Sequence, residues 1–367
     1  MSICRKTISI VGTNGIPASY GGFETLAEHL TRNLKSEFDF VVYCSISQKS
    51  KLKEYNGIRL INIPLKANGA SSFLYDIISL IHASFVSDLV LYLGPGAGFF
   101  LPFLKLFRVK LIVNHGGLNE WKRVKYNSFQ KLLARAGHKY GALASKVNIA
   151  DNELLQKSLK SEFGVSSIVI RYGGDHVIKD TVKEEFLIEY PFLNEPYYVN
   201  VSRAQIDNNL HIVLNAFESL PAKKLVMISN WHVSEYGRKL KEDYLNKFNN
   251  IILLDAIYDV KKLNVIRANA KVYIHSHSYC GTAPSLVEAM SLGLPVVSFD
   301  VPTNRETTQN KSLYFSDEMS LNHLISKIED EDFLLIRKNM KSIAEENYSW
   351  RTISQQYSKI FNSVLNN

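Results

Sequence analysis

The densest group of reactive residue types runs His275-Ser-His-Ser-Tyr-Cys-Gly-Thr-Ala-Pro-Ser-Leu-Val-Glu-Ala-Met-Ser-Leu-Gly-Leu-Pro-Val-Val-Ser-Phe-Asp300. It reads as a strand end, a polar loop, a helix from Pro284 to Leu292, a turn at Gly293 and another strand. Proline in a helix's first turn and glycine just past its last are ordinary start and stop signals. A helix N-terminus presents unpaired N–H groups and the positive end of the dipole, so Ser285 and Leu286 are placed to offer backbone N–H groups to a diphosphate. Glu288, one turn further in, carries a carboxylate that accepts two hydroxyl donors at once, as vicinal ribose hydroxyls require.

A second group is Gly12-Thr-Asn-Gly-Ile-Pro-Ala-Ser-Tyr-Gly-Gly-Phe-Glu24, in which Gly21 and Gly22 sit where a helix begins. Glycine lets backbone approach a ligand closely, and this edge of a doubly wound sheet is the usual ligand crevice. The spacing Gly12, Gly15, Gly21, Gly22 is not GxGxxG, which argues against a dinucleotide. A tight turn with no ligand is the bland alternative. His275 and His277 flank one serine, but a metal centre needs further ligands that the spacing does not supply, so no metal is expected. Asp330-Glu-Asp332 reads as a solvated run in a polar helix.

These residues need elements to hold them. Short β-branched runs at Thr7–Gly12, Phe40–Cys44, Ile58–Ile63, Leu89–Leu93, Lys110–Asn114, Val147–Ile149 and Ile168–Ile170 alternate with helical patterns. A second set follows at Tyr197–Ser202, Lys224–Ser229, Ile251–Leu254, Val272–His275 and Pro295–Phe299. Near-continuous apolar strands alternating with helices predict parallel sheets covered on both faces. Two sets predict two Rossmann-like domains facing a cleft, residues 1–175 and 176–349, with the boundary inside Tyr172–Pro196. The closing segment, Trp350–Leu365, reads as an amphipathic helix with Ile353, Tyr357, Ile360, Phe361 and Val364 on one face; residues 350–367 are expected to pack back on the first domain.

With 367 residues, 46% hydrophobic and 21% charged, the chain has the length of two cores and the composition of a soluble enzyme. Its three cysteines show no metal or CxxC spacing, which fits a reducing cytosol. The apolar run at Thr7–Val11 is too short for a signal peptide. Asp76, His82 and Asp88 interrupt the most hydrophobic later stretch, Phe73–Leu93, which argues against a membrane span. The net charge of +8 is uneven: residues 1–180 hold 23 Lys and Arg against 13 Asp and Glu, and the remainder is slightly acidic. A basic half suits phosphate-bearing ligands, anionic lipid or nucleic acid.

The stretch Glu288–Val297, together with Arg203 after the strand at Tyr197–Ser202, resembles the retaining family-4 glycosyltransferases of the GT-B fold. Ile16-Pro-Ala-Ser-Tyr-Gly-Gly-Phe-Glu-Thr and Val301-Pro-Thr-Asn-Arg-Glu-Thr resemble a narrower, rhamnosyltransferase-like subgroup of bacterial surface-polysaccharide enzymes. The resemblance covers nearly the whole chain. It implies an α/β GT-B enzyme with an acceptor-binding first domain and a donor-binding second domain. It would move a sugar from a nucleoside diphosphate, dTDP or UDP, to an undecaprenyl-diphosphate-linked saccharide in capsule or O-antigen synthesis. Anomeric configuration would be retained without a metal or other cofactor.

The resemblance also implies roles for residues. Arg203 matches an arginine that clamps the donor phosphates, and Asn208 stands where the family has a lysine in the same clamp. Cys280 stands where the family has a glutamate touching the donor sugar, so the sugar contacts would shift to Thr282 and backbone near Gly281. A histidine after a comparable first-domain strand contacts the sugar near the reacting carbon, which makes His115 the catalytic candidate, with Glu120 second. A structural histidine is the alternative at that position. Rival readings are a nucleotide-sugar epimerase of the same fold and a nucleic-acid-binding protein, though no RRM, KH or helix-turn-helix signature is present and no nucleic acid is expected. Nine basic residues between Lys105 and Lys139, together with the Phe99–Lys110 stretch of apolar residues mixed with cations, fit a protein held peripherally on anionic lipid at the cytoplasmic face of the cell membrane; a buried helix followed by a solvated basic one is the alternative.

Overall fold

A computed structural model describes residues 5–366 apart from 19–20, 49–50, 70, 108, 118–119, 123–126 and 328–329. The chain divides into two compact units, Met1–Tyr172 with Trp350–Asn367, and Gly173–Ser349. None of the described helices is long and apolar enough to cross a membrane.

In the first unit the strands are β1 (Thr7–Val11), β2 (Asp39–Ser45), β3 (Glu54–Tyr55) and β4 (Ile58–Ile63), then β5 (Leu89–Leu93), β6 (Lys110–Asn114), β7 (Val147–Ala150) and β8 (Ile168–Val169). They form one sheet in the order β3-β4-β2-β1-β5-β6-β7-β8, parallel except for the β3–β4 hairpin. The β3–β4 turn uses Asn56 and Gly57, both at positive φ, the chemistry of a two-residue hairpin. The first stretch of the chain moves outward from β1 to β2 and β4, and the next returns to the other side at β5. The exit from β1 therefore lies at the switch point. There Gly12, at φ +91, passes so close to β5 that a Cβ would stand 2.1 Å from the Leu93 carbonyl oxygen. The helix Trp350–Asn366 buries Ile353, Tyr357, Ile360, Phe361 and Val364 in this unit. Trp350 stacks on His29 at 4.4 Å, and Tyr357 accepts a hydrogen bond from Asn114 Nδ2 at 2.7 Å.

The second unit holds β9 (Tyr197–Val201), β10 (Lys224–Ser229), β11 (Ile251–Asp255), β12 (Val272–His275), β13 (Val296–Phe299) and β14 (Leu313–Phe315). All pairings are parallel, in the order β11-β10-β9-β12-β13-β14. The strand order reverses between β9 and β12. In open parallel sheets the crevice beyond the strand C-termini at that point is where ligands bind. Arg203 leaves the end of β9, and the His275–Ala283 loop leaves the end of β12. The same crevice is thus lined from two neighbouring strands.

Candidate active site

The two loops at the β9–β12 switch are stitched together. Asn200, within β9, donates to the Ile274 carbonyl (2.9 Å) and to Ser276 Oγ (3.1 Å). Asn209 donates to the Ser276 carbonyl (3.0 Å), and both the N–H and Oγ of Ser278 donate to the Asp207 carbonyl (3.0 and 2.8 Å). A loop whose polar backbone is satisfied this way is held rather than mobile. On that base Arg203 is exposed and makes no ion pair with the described residues. A guanidinium in this position is free to fork onto phosphate oxygens.

Asn208 does not stand beside it. Its side chain is buried, 3% exposed, and its Nδ2 donates to the Arg203 carbonyl at 2.7 Å. That contact spends the amide inside the loop, so Asn208 ties the loop to the Arg203 backbone. The Leu286 N–H is likewise engaged, donating to the Ala283 carbonyl at 3.1 Å. With Pro284 lacking an N–H, the first-turn donor left at this terminus is Ser285. Thr282 lies buried in the loop just ahead.

Glu288 sits one turn into the helix Pro284–Ser291, its side chain 14% exposed between Arg267 and His176. Arg267, from the helix Val260–Ala268 and itself buried, pairs with Oε2, and His176 Nε2 lies 3.3 Å from Oε1. Burial alone would raise the Glu288 carboxyl; the Arg267 charge, then His176, outweigh it and hold the pKa down to about 2. The linker that brings His176 to this place runs against the helix. Gly174 has no Cβ to collide with the Val287 carbonyl, which would stand 2.5 Å away. A carboxylate has about four lone-pair positions, so these two partners leave acceptors for a further ligand. Neither Arg267 nor His176 carries a sequence signal, since each acts through a residue distant along the chain.

In the first unit Gly21 caps the helix Gly22–Leu34 in an extended conformation, with no side-chain cap. The first turn also contains Glu24, whose Oε1 accepts from the N–H and Nδ2 of Asn14 (2.7 and 3.0 Å). This carboxylate pins the Gly12–Gly15 loop, and it makes the Gly21–Gly22 terminus less hospitable to an anion than the glycine pair alone suggests.

His115, just past β6, is 0% exposed with both ring nitrogens engaged. Nδ1 lies 3.1 Å from His138 Nδ1, and Nε2 is 2.8 Å from Asn148 Oδ1. Burial pushes its pKa down to about 4, so the ring is neutral at physiological pH. Both ring nitrogens are thus spent on partners inside the first unit. Glu120 enters the short turn Glu120–Lys122, and its side chain is outside the described residues.

Residues 5–175 match a family described as a domain of unknown function (DUF1972), and residues 182–349 match one described as glycosyl transferases group 1. An uncharacterized glycosyltransferase of Methanocaldococcus jannaschii is 23% identical over 383 residues, covering 94% of this chain and 96% of its own length. Among solved structures, a sucrose-phosphate synthase from Thermosynechococcus elongatus is similar with a TM-score of 0.81 at 15% identity, over 99% of this chain and 100% of that one. Anabaena HepE, solved in complex with UDP, gives 0.76 at 17% identity, over 98% and 100%. The fold is α/β of the GT-B class, with one parallel-sheet domain in each unit.

Proposed function

We propose that this glycosyltransferase homologue, whose residues 182–349 form a glycosyl transferases group 1 domain, moves a sugar from a nucleoside-diphosphate donor onto a hydroxyl of a lipid-linked saccharide. The observation that carries the reading is the arrangement at the β9–β12 switch of the second unit. An exposed Arg203 with no ion pair among the described residues, the helix terminus at Ser285 and a carboxylate fixed at Glu288 offer, in turn, a phosphate fork, a phosphate dipole and a ribose acceptor. HepE, of similar fold, is solved with UDP, which supports a uridine or thymidine diphosphate donor here.

In this reading residues 173–349 hold the donor and the first unit holds the acceptor. As the carbon–oxygen bond to the sugar breaks, negative charge grows on the departing diphosphate. Arg203 and the Ser285 N–H meet that charge with groups already aimed, which stabilises the transition state without a required metal. Configuration is retained at the sugar carbon, rhamnose is the proposed sugar, and the acceptor is an undecaprenyl-diphosphate-linked saccharide of capsule or O-antigen assembly. Catalysis through His115 is not part of the proposal, since both its nitrogens are occupied. The enzyme works at the inner face of the membrane, and three packed helices of the first unit support that placement. Ser72–Val86, Leu101–Leu104 and Ser128–Ala144 expose Phe85, Phe103, Phe129 and Leu132 beside cationic Lys105 and Lys139.

The test is release of nucleoside diphosphate from dTDP-rhamnose and a panel of UDP-sugars, with chelator present, with and without lipid-linked acceptor. Acceptor-dependent release with the anomeric configuration kept is the expected result. An altered sugar nucleotide formed without acceptor, or no turnover with any donor, would overturn the reading.

A further inference from the structure

β12 ends on His275, and the extended chain beyond it carries His277 two residues later, so the two imidazoles lean to the same side, with ring centroids 4.5 Å apart. Cys280 completes the group. One nitrogen from each histidine and the Cys280 sulfur all lie within 4.8 Å of one another. His275 is 1% exposed, yet neither of its ring nitrogens has a hydrogen-bond partner among the described residues. Buried polar groups are ordinarily satisfied, and an imidazole with two idle nitrogens marks a place prepared for something else.

We propose that His275, His277 and Cys280 bind a borderline or soft divalent cation, zinc foremost, with a fourth position left open. The donor set decides the ion. Two imidazoles and a thiolate favour zinc, cobalt or copper, whereas magnesium and calcium need oxygen ligands that this group lacks. Zinc–nitrogen bonds of about 2.0–2.1 Å and zinc–sulfur bonds of about 2.3 Å require the three atoms to draw together by roughly an ångström. Side-chain rotation of His277 and Cys280 would supply that movement, since the loop from Ser276 to Ala283 that carries them is itself held. Asn304 steadies it, donating to the His277 carbonyl at 2.9 Å while the Cys280 thiol donates to Asn304 Oδ1 at 3.6 Å. On binding, the thiol gives its proton to solvent and the sulfur turns its lone pair to the metal, so affinity rises with pH. This site goes beyond the transfer reaction, because occupancy needs neither donor nor turnover.

The experiment uses the untagged full chain, reduced and stripped with chelator, titrated with Co2+ and then back-titrated with Zn2+. One equivalent of Co2+ should produce intense tetrahedral ligand-field bands together with a sulfur-to-cobalt charge-transfer band, both bleached by Zn2+. Cys280→Ser should lose the charge-transfer band, and Cys280→Ser and His277→Ala should each weaken zinc binding by at least about a hundredfold. A wild-type measurement stands beside these in case a variant misfolds. Alkylation of Cys280 by iodoacetamide, read by peptide mass mapping, should slow at least about tenfold with one equivalent of Zn2+ and not with Mg2+. No charge-transfer band at equimolar Co2+, zinc affinity unchanged in both variants, or alkylation indifferent to zinc would each overturn the proposal.

Discussion

Arg267 holds the carboxylate of Glu288 in an ion pair whose side chains are only 4% and 14% exposed. The pair joins the helix before β12 to the helix after it, with the switch-point loop between them. It keeps Glu288 ionised and in one orientation before any ligand arrives. A preset acceptor loses less entropy on binding than a free side chain would.

Glu288→Gln keeps the shape and an acceptor oxygen but removes the charge, so donor binding should weaken by about 1.5–3 kcal/mol, roughly ten- to a hundredfold. Glu288→Ala should do more. It strands the buried Arg267 guanidinium without its partner, a loss of about 3–5 kcal/mol in stability. Calorimetric titration with UDP and dTDP measures the first effect, and denaturant unfolding the second. Unchanged nucleotide affinity in a folded Glu288→Gln would remove this residue from the donor site.

Acid should act through two kinds of group, buried neutral histidine and ion-paired carboxylate. His115 has its pKa lowered from 6.5 to about 4, chiefly by burial. The unfolded chain therefore takes up a proton that the folded one refuses, and the stability tied to neutral His115 is complete above pH 6.5 and lost as pH falls towards 4. Glu288, lowered from 4.5 to about 2, contributes stability above pH 4.5 that is lost as pH falls through 2. Melting of the wild type should decline first over pH 6.5–4. A His115→Phe variant should be destabilised at pH 7 and flatter in that window. Donor KM should be unchanged in its folded fraction, as a structural role requires. A KM change with no loss of stability would return His115 to the site.

Arg203→Ala should weaken donor binding about ten- to a hundredfold and lower turnover further, since charge on the leaving diphosphate grows towards the transition state. Arg203→Lys should restore only part, because a point charge does not reproduce the guanidinium fork. Steady-state kinetics with saturating acceptor separate the two losses. Full activity in both variants would mean that another cation neutralises the diphosphate.

How far these residues could be found in advance depends on the range of the interactions that place them. The long strands were legible because burial on both faces makes them continuous apolar runs, as in β5, where all five residues are buried. β3 and β14 were not, because two and three residues are too short to show a period. The helix Pro284–Ser291 was legible from its own proline and glycine. Its electrostatic setting was not, since Arg267 lies 21 residues away on a helix with no local mark of its role. The same holds for His115, whose partner His138 is 23 residues further on, inside a helix.

Asn208 shows how a family pattern can point to the right loop and the wrong direction. A lysine introduced at this position would have to enter a space where the native side chain is 3% exposed and spends its amide on the Arg203 carbonyl. Asn208→Lys should therefore lower the melting temperature by several degrees, on the order of 1–3 kcal/mol, without tightening nucleotide binding. A stable variant with tighter dTDP or UDP binding would show that the loop can turn its side chain outward to the phosphates.

The proposed membrane attachment would use the first unit's exposed apolar side chains. Leu106 is 81% exposed, Phe103 60% and Phe85 70%, with the Phe85 ring edge-on to Phe107 at 5.1 Å. Leu101 and Leu104 of this segment are buried while these neighbours face outward, and apolar surface of this kind commonly marks an interaction site. The cations are less available than their number suggests. Lys122 and Arg135 share Glu162, at 2.7 and 3.3 Å, while Arg108, Arg123 and Lys125 lie outside the described residues. Lys105 and Lys139 are exposed without an ion-pair partner among the described residues. Each cation near anionic lipid contributes about 1 kcal/mol, so two of them need the apolar side chains to produce reversible attachment. Sedimentation with phosphatidylglycerol vesicles should then fall in Phe103→Ser/Leu106→Ser at every salt concentration. In Lys105→Ser/Lys139→Ser the loss should be largest at low salt, because at physiological ionic strength exposed charges are already screened beyond about 8 Å. Binding that ignores lipid charge, salt and both double substitutions would leave this apolar face to another partner and place the enzyme's acceptor chemistry away from the bilayer.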